Sequence, residues 1–223
     1  MIVIIDYGMG NLRSVSKALE SLGASVRITS DPAEVASAQK LILPGVGAFP
    51  AAMRELTARK LIEPIKASIA RGTPFLGICL GLQVLFEKSE EGEGATGLGI
   101  LPGMVRRFAF TPTAGSNGAT LKIPHMGWNQ LIRTGEGCPL LKEIPEGSFV
   151  YFVHSYYADP RDRSMTYLET DYGGRFAAMI WRDNLYATQF HPEKSQTVGL
   201  KLLENFIALP ALAKPAISAS PSR

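Results

Sequence analysis

The chain has 223 residues, enough for one large domain whose core takes about 70% of the unfolded surface out of water. Its 46% apolar and 19% charged residues are ordinary for a globular protein. The 23 Lys and Arg leave a net charge of only +3 and are scattered, which excludes the clustered basic patch that a nucleic-acid backbone needs.

The first five residues are apolar but lack the basic flank of a signal peptide, and Asp6 ends them at once. No apolar run approaches the roughly 20 residues of a membrane span. Two cysteines, Cys79 and Cys138, make no disulfide framework and point to a reducing cytoplasm. Ile2 to Ile5 is a continuous β-branched run, as expected of a strand buried on both faces. Asn11 can cap a helix with Leu12, Val15, Ala18, Leu19 and Leu22 on one side, and Gly23 can close it. Strands are expected at Ser25 to Thr29 and Lys40 to Leu43, helices at Pro50 to Arg59 and Leu61 to Arg71, and a further strand at Pro74 to Ile78. A helix follows from Cys79 to about Glu87.

Repeated βα units imply an α/β fold, a mostly parallel open sheet with helices on both faces. Ligands in such sheets sit at the carboxyl ends of strands, where Asp6 to Asn11, Pro44 to Gly47 and Cys79 fall. The second half carries short strand-like pieces at Met104 to Phe110, Leu121 to Ile123, Asn129 to Ile132, Phe149 to Val153, Ala177 to Trp181 and Leu185 to Gln189. They read as antiparallel strands added at one edge. An amphipathic helix spans Thr197 to Ala208, so residues 1–209 form one domain, and the Pro- and Ala-rich tail 210–223 is expected to fray.

Gly77-Ile78-Cys79-Leu80-Gly81 is the thiol form of a nucleophile elbow. Small residues two before and two after let backbone crowd the turn and hold the side chain up. A helix N-terminus there favours the thiolate and offers N–H groups to an oxyanion. The same Cys also fits a small buried residue in a βα turn. His191-Pro192-Glu193 follows an apolar strand, and thiol chemistry needs this combination: a base to move the proton and a carboxylate to hold the imidazole in one tautomer. A satisfied core histidine is the alternative. His154 is a rival base with no carboxylate near it in sequence, and His125 reads as a loop or interface residue.

Pro44-Gly45-Val46-Gly47 can aim a peptide N–H at an oxyanion or can be an ordinary turn. Gly8-Met9-Gly10 lacks the third glycine of a dinucleotide fingerprint, because Arg13 stands in its place. No zinc-like spacing joins the three histidines. Neither a metal nor an organic cofactor is expected.

Gly77 to Gln83 and His191 to Glu193 together resemble the class I (triad) glutamine amidotransferases, from Met1 to about Ala208. Ile5 to Leu12, Leu43 to Phe49, Pro124 to Asn129, Tyr151 to Tyr156 and Gln189 to Ser195 are most similar to the glutaminase subunits of imidazole glycerol phosphate synthases, which serve histidine biosynthesis. Leu82 departs from the Met frequent there, and nothing in the triad departs.

The resemblance implies a flavodoxin-like sheet and a glutaminase with Cys79 as nucleophile, His191 as base and acid, and Glu193 orienting His191. It places oxyanion donors at Leu80 and the Gly45-Val46 segment, and glutamine contacts at Gly47, Gln83, Ser155 and Tyr156. It also implies a (β/α)8-barrel cyclase partner in a heterodimer, with Asn11, Trp128 and Lys194 at the interface and ammonia passed through the barrel. A glutaminase serving anthranilate or pyridoxal phosphate synthase, and a thiol hydrolase on the same elbow, are the competing readings. A scaffold that has lost its chemistry is a further one.

Overall fold

A computed structural model of the chain describes residues 1–109 and 121–211. In chain order the elements are β1 (Ile2–Ile5), α1 (Leu12–Ser21), β2 (Val26–Thr29), α2 (Pro32–Ala36), β3 (Lys40–Gly45), α3 (Phe49–Ala58), α4 (Ile62–Ala70), β4 (Phe75–Cys79), α5 (Leu80–Gln83), β5 (Phe86–Ser89) and β6 (Leu101–Arg107). There follow β7 (His125–Gln130), β8 (Ile132–Arg133), β9 (Phe149–His154), β10 (Tyr156–Pro160), β11 (Thr166–Asp171), β12 (Arg175–Arg182), β13 (Leu185–Thr188) and α6 (Gln196–Ala208). The main sheet has the order β2-β1-β3-β4-β13-β12-β11-β8. Its first five strands are parallel and its last three antiparallel.

The uninterrupted apolar run of β1 follows from its place inside this sandwich. Val3 and Ile5 join Leu41, Leu43 and Phe75 under α3 and α4, whereas Ile2 and Ile4 join Ile42, Leu76 and Ile78 under α1 and α6. Alternate side chains of one strand thus feed two cores, and each fully buried Leu, Ile or Phe contributes about 1.5–3 kcal/mol. Lys40 is buried at the foot of β3, where its Nζ donates to the carbonyls of Phe206 and Ile207. A cation thereby satisfies the last turn of α6 and ties it to the sheet.

Four expectations need correction. The helix after Cys79 stops at Gln83 instead of Glu87, because the carbonyls of Val84 and Leu85 accept the N–H groups of Leu98, Ile100 and Leu101, and Phe86 enters a strand. Every residue from Leu80 to Phe86 is buried, so no solvent face marks where the helix ends.

Leu185 to Gln189 is no antiparallel edge piece: β13 inserts beside β4 and runs parallel to it. The edge is instead made by β12, β11 and the short β8, while β6 pairs with β5 and β10 in a second sheet, and β7 pairs with β9 in a third. Leu121 to Ile123 forms no strand, and Phe110 lies outside the described residues. Asn11 stands at the start of α1 without a side-chain capping bond. The short α2, capped by the Asp31 carboxylate accepting from the Ala33 N–H at 2.8 Å, carries too little periodicity to be read in advance. No helix among the described residues is long and apolar enough to cross a membrane.

Candidate active site

The parallel order of β1, β3, β4 and β13 brings the ends of four strands to one edge of the sheet, and Cys79 closes β4 there with φ 56° and ψ −107°. A non-glycine residue in such a conformation stores about 1–3 kcal/mol of strain, which the surrounding packing must hold. That packing is visible at the flanking glycines. A Cβ on Gly77 would meet the Gly81 carbonyl oxygen at 2.7 Å, and one on Gly81 would collide with the Leu43 carbonyl oxygen. Gly81→Ala is therefore expected to lower stability by about 1–3 kcal/mol or more and to remove activity with it, read by thermal melting beside an activity assay. The helix after Cys79 is a single turn, so its dipole is weaker than a longer helix would supply. The N–H groups of that turn still begin at Leu80, directly after Cys79.

His191 sits just beyond β13, its N–H donating to the Tyr151 carbonyl at 3.0 Å. The turn that carries Glu193 is fixed by the Ser195 hydroxyl, which donates to the His191 carbonyl at 2.7 Å and accepts the Tyr151 N–H at 3.0 Å. Within it, Nδ1 of His191 lies 2.9 Å from Oε1 of Glu193, and the two side chains are only 2% and 1% exposed. A carboxylate can only accept here, so Nδ1 carries the hydrogen.

Burial acts against an imidazolium most strongly, but hydrogen bonding and charge from Cys79 and Glu193 outweigh it and push the His191 pKa up to about 10. The ring and the sulfur interact, although Nε2 makes no hydrogen bond of normal geometry among the described residues. Hydrogen bonds of this kind are often loose before substrate arrives. Sulfur also accepts from Nε2 of Gln189 at 3.7 Å.

Cys79 opens on a cleft of about 350 Å3. Val46, Gly47, Leu80, Gln83, Ser155 and Tyr156, all expected at the site, line it with Cys79. Gly45 is buried behind Val46. The amide nitrogen of Gln83 is committed to the Tyr156 carbonyl at 2.9 Å and to Oε1 of Gln189 at 3.2 Å, so Gln83 braces the wall as well as facing the cleft.

The sequence reading missed Glu91, which among the described residues is the carboxylate lining the cleft. Its Oε2 accepts the Phe49 N–H at 2.8 Å at the start of α3. It stands in a Gly- and Glu-rich loop where nothing local separates it from Glu90 and Glu93.

The rival base is accounted for differently. Nδ1 of His154 donates to the Tyr156 carbonyl at 2.8 Å and its Nε2 accepts from Nδ1 of His125 at 3.0 Å. Burial first, then the neighbouring histidines, push His154 down to about 3, and burial pushes His125 down to about 4. Both rings are neutral at working pH and already paired. His125 is no loop residue: it is 2% exposed on β7, stacked between Phe152 and Tyr172. Among the described residues no three His, Cys, Asp or Glu side chains gather as a metal would require.

Beside the cleft, β7 and β9 turn an apolar face outward. Met126, Trp128 and Phe149 are 63%, 46% and 54% exposed, and Trp128 pairs across the strands with Tyr151, ring centroids 6.2 Å apart. Nζ of the exposed Lys194 stands 5.7 Å from the centre of the Tyr151 ring, within reach of a cation–π contact. Asn11 heads α1, which packs against the Pro192–Lys194 turn. Pro124 and Val153 belong to the cleft, so this face is continuous with it.

A family model described as glutamine amidotransferase class-I matches residues 3–209. The chain is 56% identical over 206 residues to the imidazole glycerol phosphate synthase subunit HisH of Syntrophotalea carbinolica, covering 92% of this chain and 98% of the relative. It is 53% identical over 208 residues to the subunit of the same name from Microcystis aeruginosa, covering 93% and 94%. A crystal structure of a glutamine amidotransferase superposes with a TM-score of 0.70 over 93% of this chain and 97% of that one, a likeness of fold alone at 17% identity.

Proposed function

The chain belongs to the class-I glutamine amidotransferase family, and from that premise we propose that it hydrolyses glutamine through Cys79, His191 and Glu193 as the glutaminase subunit of an imidazole glycerol phosphate synthase. One observation carries the proposal. The buried carboxylate of Glu193 lies 2.9 Å from Nδ1 of a His191 whose pKa, against burial, Cys79 first and then Glu193 push up, and that cysteine stands on a strained elbow facing the cleft.

Thiolate attack on the side-chain carbonyl carbon of glutamine forms a C–S bond, and the oxygen takes the charge. The Leu80 N–H and an N–H of the Gly45-Val46 segment receive that oxyanion. Collapse breaks the C–N bond, with the Nε2 proton of His191 leaving on the ammonia. Nε2 then takes a proton from water, which attacks the thioester and releases glutamate and the thiolate. Glu193 keeps Nδ1 protonated throughout, so Nε2 alone exchanges protons.

Gly47, Gln83, Ser155 and Tyr156 are positioned to hold the substrate, and the Glu91 carboxylate suits its α-ammonium. The outward apolar face of β7 and β9, with Trp128 and Lys194, suits a partner subunit, with Asn11 at the same interface. We assign that partner to a (β/α)8-barrel cyclase, which receives the ammonia before water can protonate it.

The test is glutamine hydrolysis by the purified chain alone and with the cyclase subunit carrying its nucleotide ligand. The family resemblance implies that the Gly45-Val46 segment reorients when the liganded partner binds, and one oxyanion donor gained in this way makes the expected rise about 10²–10³-fold. Equal rates in the two samples would overturn the partner dependence. No hydrolysis in either would overturn the activity.

A further inference from the structure

Tyr7 is fully buried, and its hydroxyl finds no hydrogen-bond partner among the described residues. Such a donor costs stability unless another state of the molecule uses it. Its position says which. The Asp6 carboxylate accepts the Gly8 N–H at 2.9 Å and fixes the turn after β1, and this turn packs beneath Pro44 to Gly47. A Cβ on Gly45 would collide with the Tyr7 hydroxyl and would lie 2.8 Å from the Leu80 Cβ. The hydroxyl therefore occupies the space a side chain at Gly45 would fill, directly under the segment that borders Cys79. Burial first, then the Cys79 charge, push its pKa up, so it stays a neutral donor.

The segment above it ends the β3–β4 pairing, with Gly45 opposite Cys79, and has the backbone freedom to turn. Gly45 lacks a Cβ, Gly47 has φ 105°, and Val46 between them is 39% exposed in the cleft wall. In a trans peptide the carbonyl and the N–H point in opposite directions. Turning the Gly45 carbonyl inward onto the Tyr7 hydroxyl must therefore turn the Val46 N–H away from Tyr7, and Val46 lines the same cleft as Cys79.

We infer that Tyr7 is a positioning residue of the proposed glutaminase: its hydroxyl donates to the Gly45 carbonyl and so selects the orientation of the Gly45-Val46 peptide in which the Val46 N–H serves the oxyanion. The inference rests on the glutaminase reading and adds a role that a packing tyrosine would not have.

Tyr7→Phe keeps the ring and deletes only the hydroxyl. In the complex with the liganded cyclase subunit, kcat for glutamine is expected to fall about tenfold, the scale of one neutral hydrogen bond, with KM within about twofold. The thermal midpoint of the free chain is expected to stay level or rise, because an unpartnered buried hydroxyl is removed. Activity and stability thus move apart.

A kcat within twofold of wild type would overturn the inference. So would a fall in kcat accompanied by a lower midpoint, which would make Tyr7 a packing residue. Wild-type complex that hydrolyses no glutamine would remove the glutaminase reading and this inference with it. A stimulated wild type with an unaffected Tyr7→Phe would remove only the latter.

Discussion

Cys79→Ala is expected to bring glutamine hydrolysis by the complex down to background, a loss on the order of 10⁶ in kcat, the scale seen when a nucleophile of a concerted constellation is deleted. The loss should be chemical and not structural. Alanine keeps a Cβ at the same φ of 56°, so the strain of the elbow and the packing of Gly77 and Gly81 around it are unchanged.

The molecule also carries its own control. Cys138 is buried, and burial pushes its thiol up to about 11 against backbone hydrogen bonds from Leu140 and Leu141 that act the other way. It should stay unreactive. A glutamine-mimicking diazo ketone is expected to add its mass once to the wild type, at Cys79, and not at all to the alanine variant. Hydrolysis surviving in Cys79→Ala, or labelling that moves to Cys138, would leave the proposed mechanism without its nucleophile.

Glu193→Gln, nearly the same shape, is expected to cost about 10⁴ in kcat with little change in KM, as when the orienting carboxylate of a triad is neutralised. The physical cause is the tautomer. A carboxylate at 2.9 Å can only accept from Nδ1, whereas an amide can present its NH2 and place the imidazole hydrogen on Nε2, where the attacking water needs an acceptor.

The variant should also change how stability depends on pH. The folded-state pKa of His191, about 10, lies above its unfolded value near 6.5. The stabilisation this group supplies is therefore fully present below pH 6.5 and is lost as pH rises through 10. Wild-type thermal midpoints should fall across that window, and those of Glu193→Gln should fall less. Parallel profiles, or a kcat within tenfold of wild type, would show that Glu193 does not hold His191 charged.

The parallel half of the fold was legible because burial on both faces leaves unbroken β-branched runs, as in Ile2–Ile5 and Phe75–Cys79, with periodic helices between them. In the second half most strands and the last helix were legible one by one, but not how the strands pair. The strands β5, β10 and β11 mix polar with apolar residues and carry no unbroken apolar run, and the turn from β12 into β13 inserts a strand beside β4 that local pattern assigns to an edge. His125, read as a loop or interface residue, and Trp128 lie on β7, whose partner β9 is remote in sequence, a pairing that no local signal announces.

What the sequence determined by itself is chemistry that depends on neighbours along the chain: glycines two before and two after a cysteine, and a carboxylate two residues beyond a histidine, within reach of one ring nitrogen. Tertiary structure alone decided what depends on neighbours in space. It brought β4 and β13 side by side so that residues 112 apart, Cys79 and His191, interact, and it gave His154 a partner in His125 that leaves it neutral. It also set an unpartnered hydroxyl of Tyr7 beneath Gly45. Hydrogen bonds and desolvation act over a few ångströms, and only the folded chain makes those distances short.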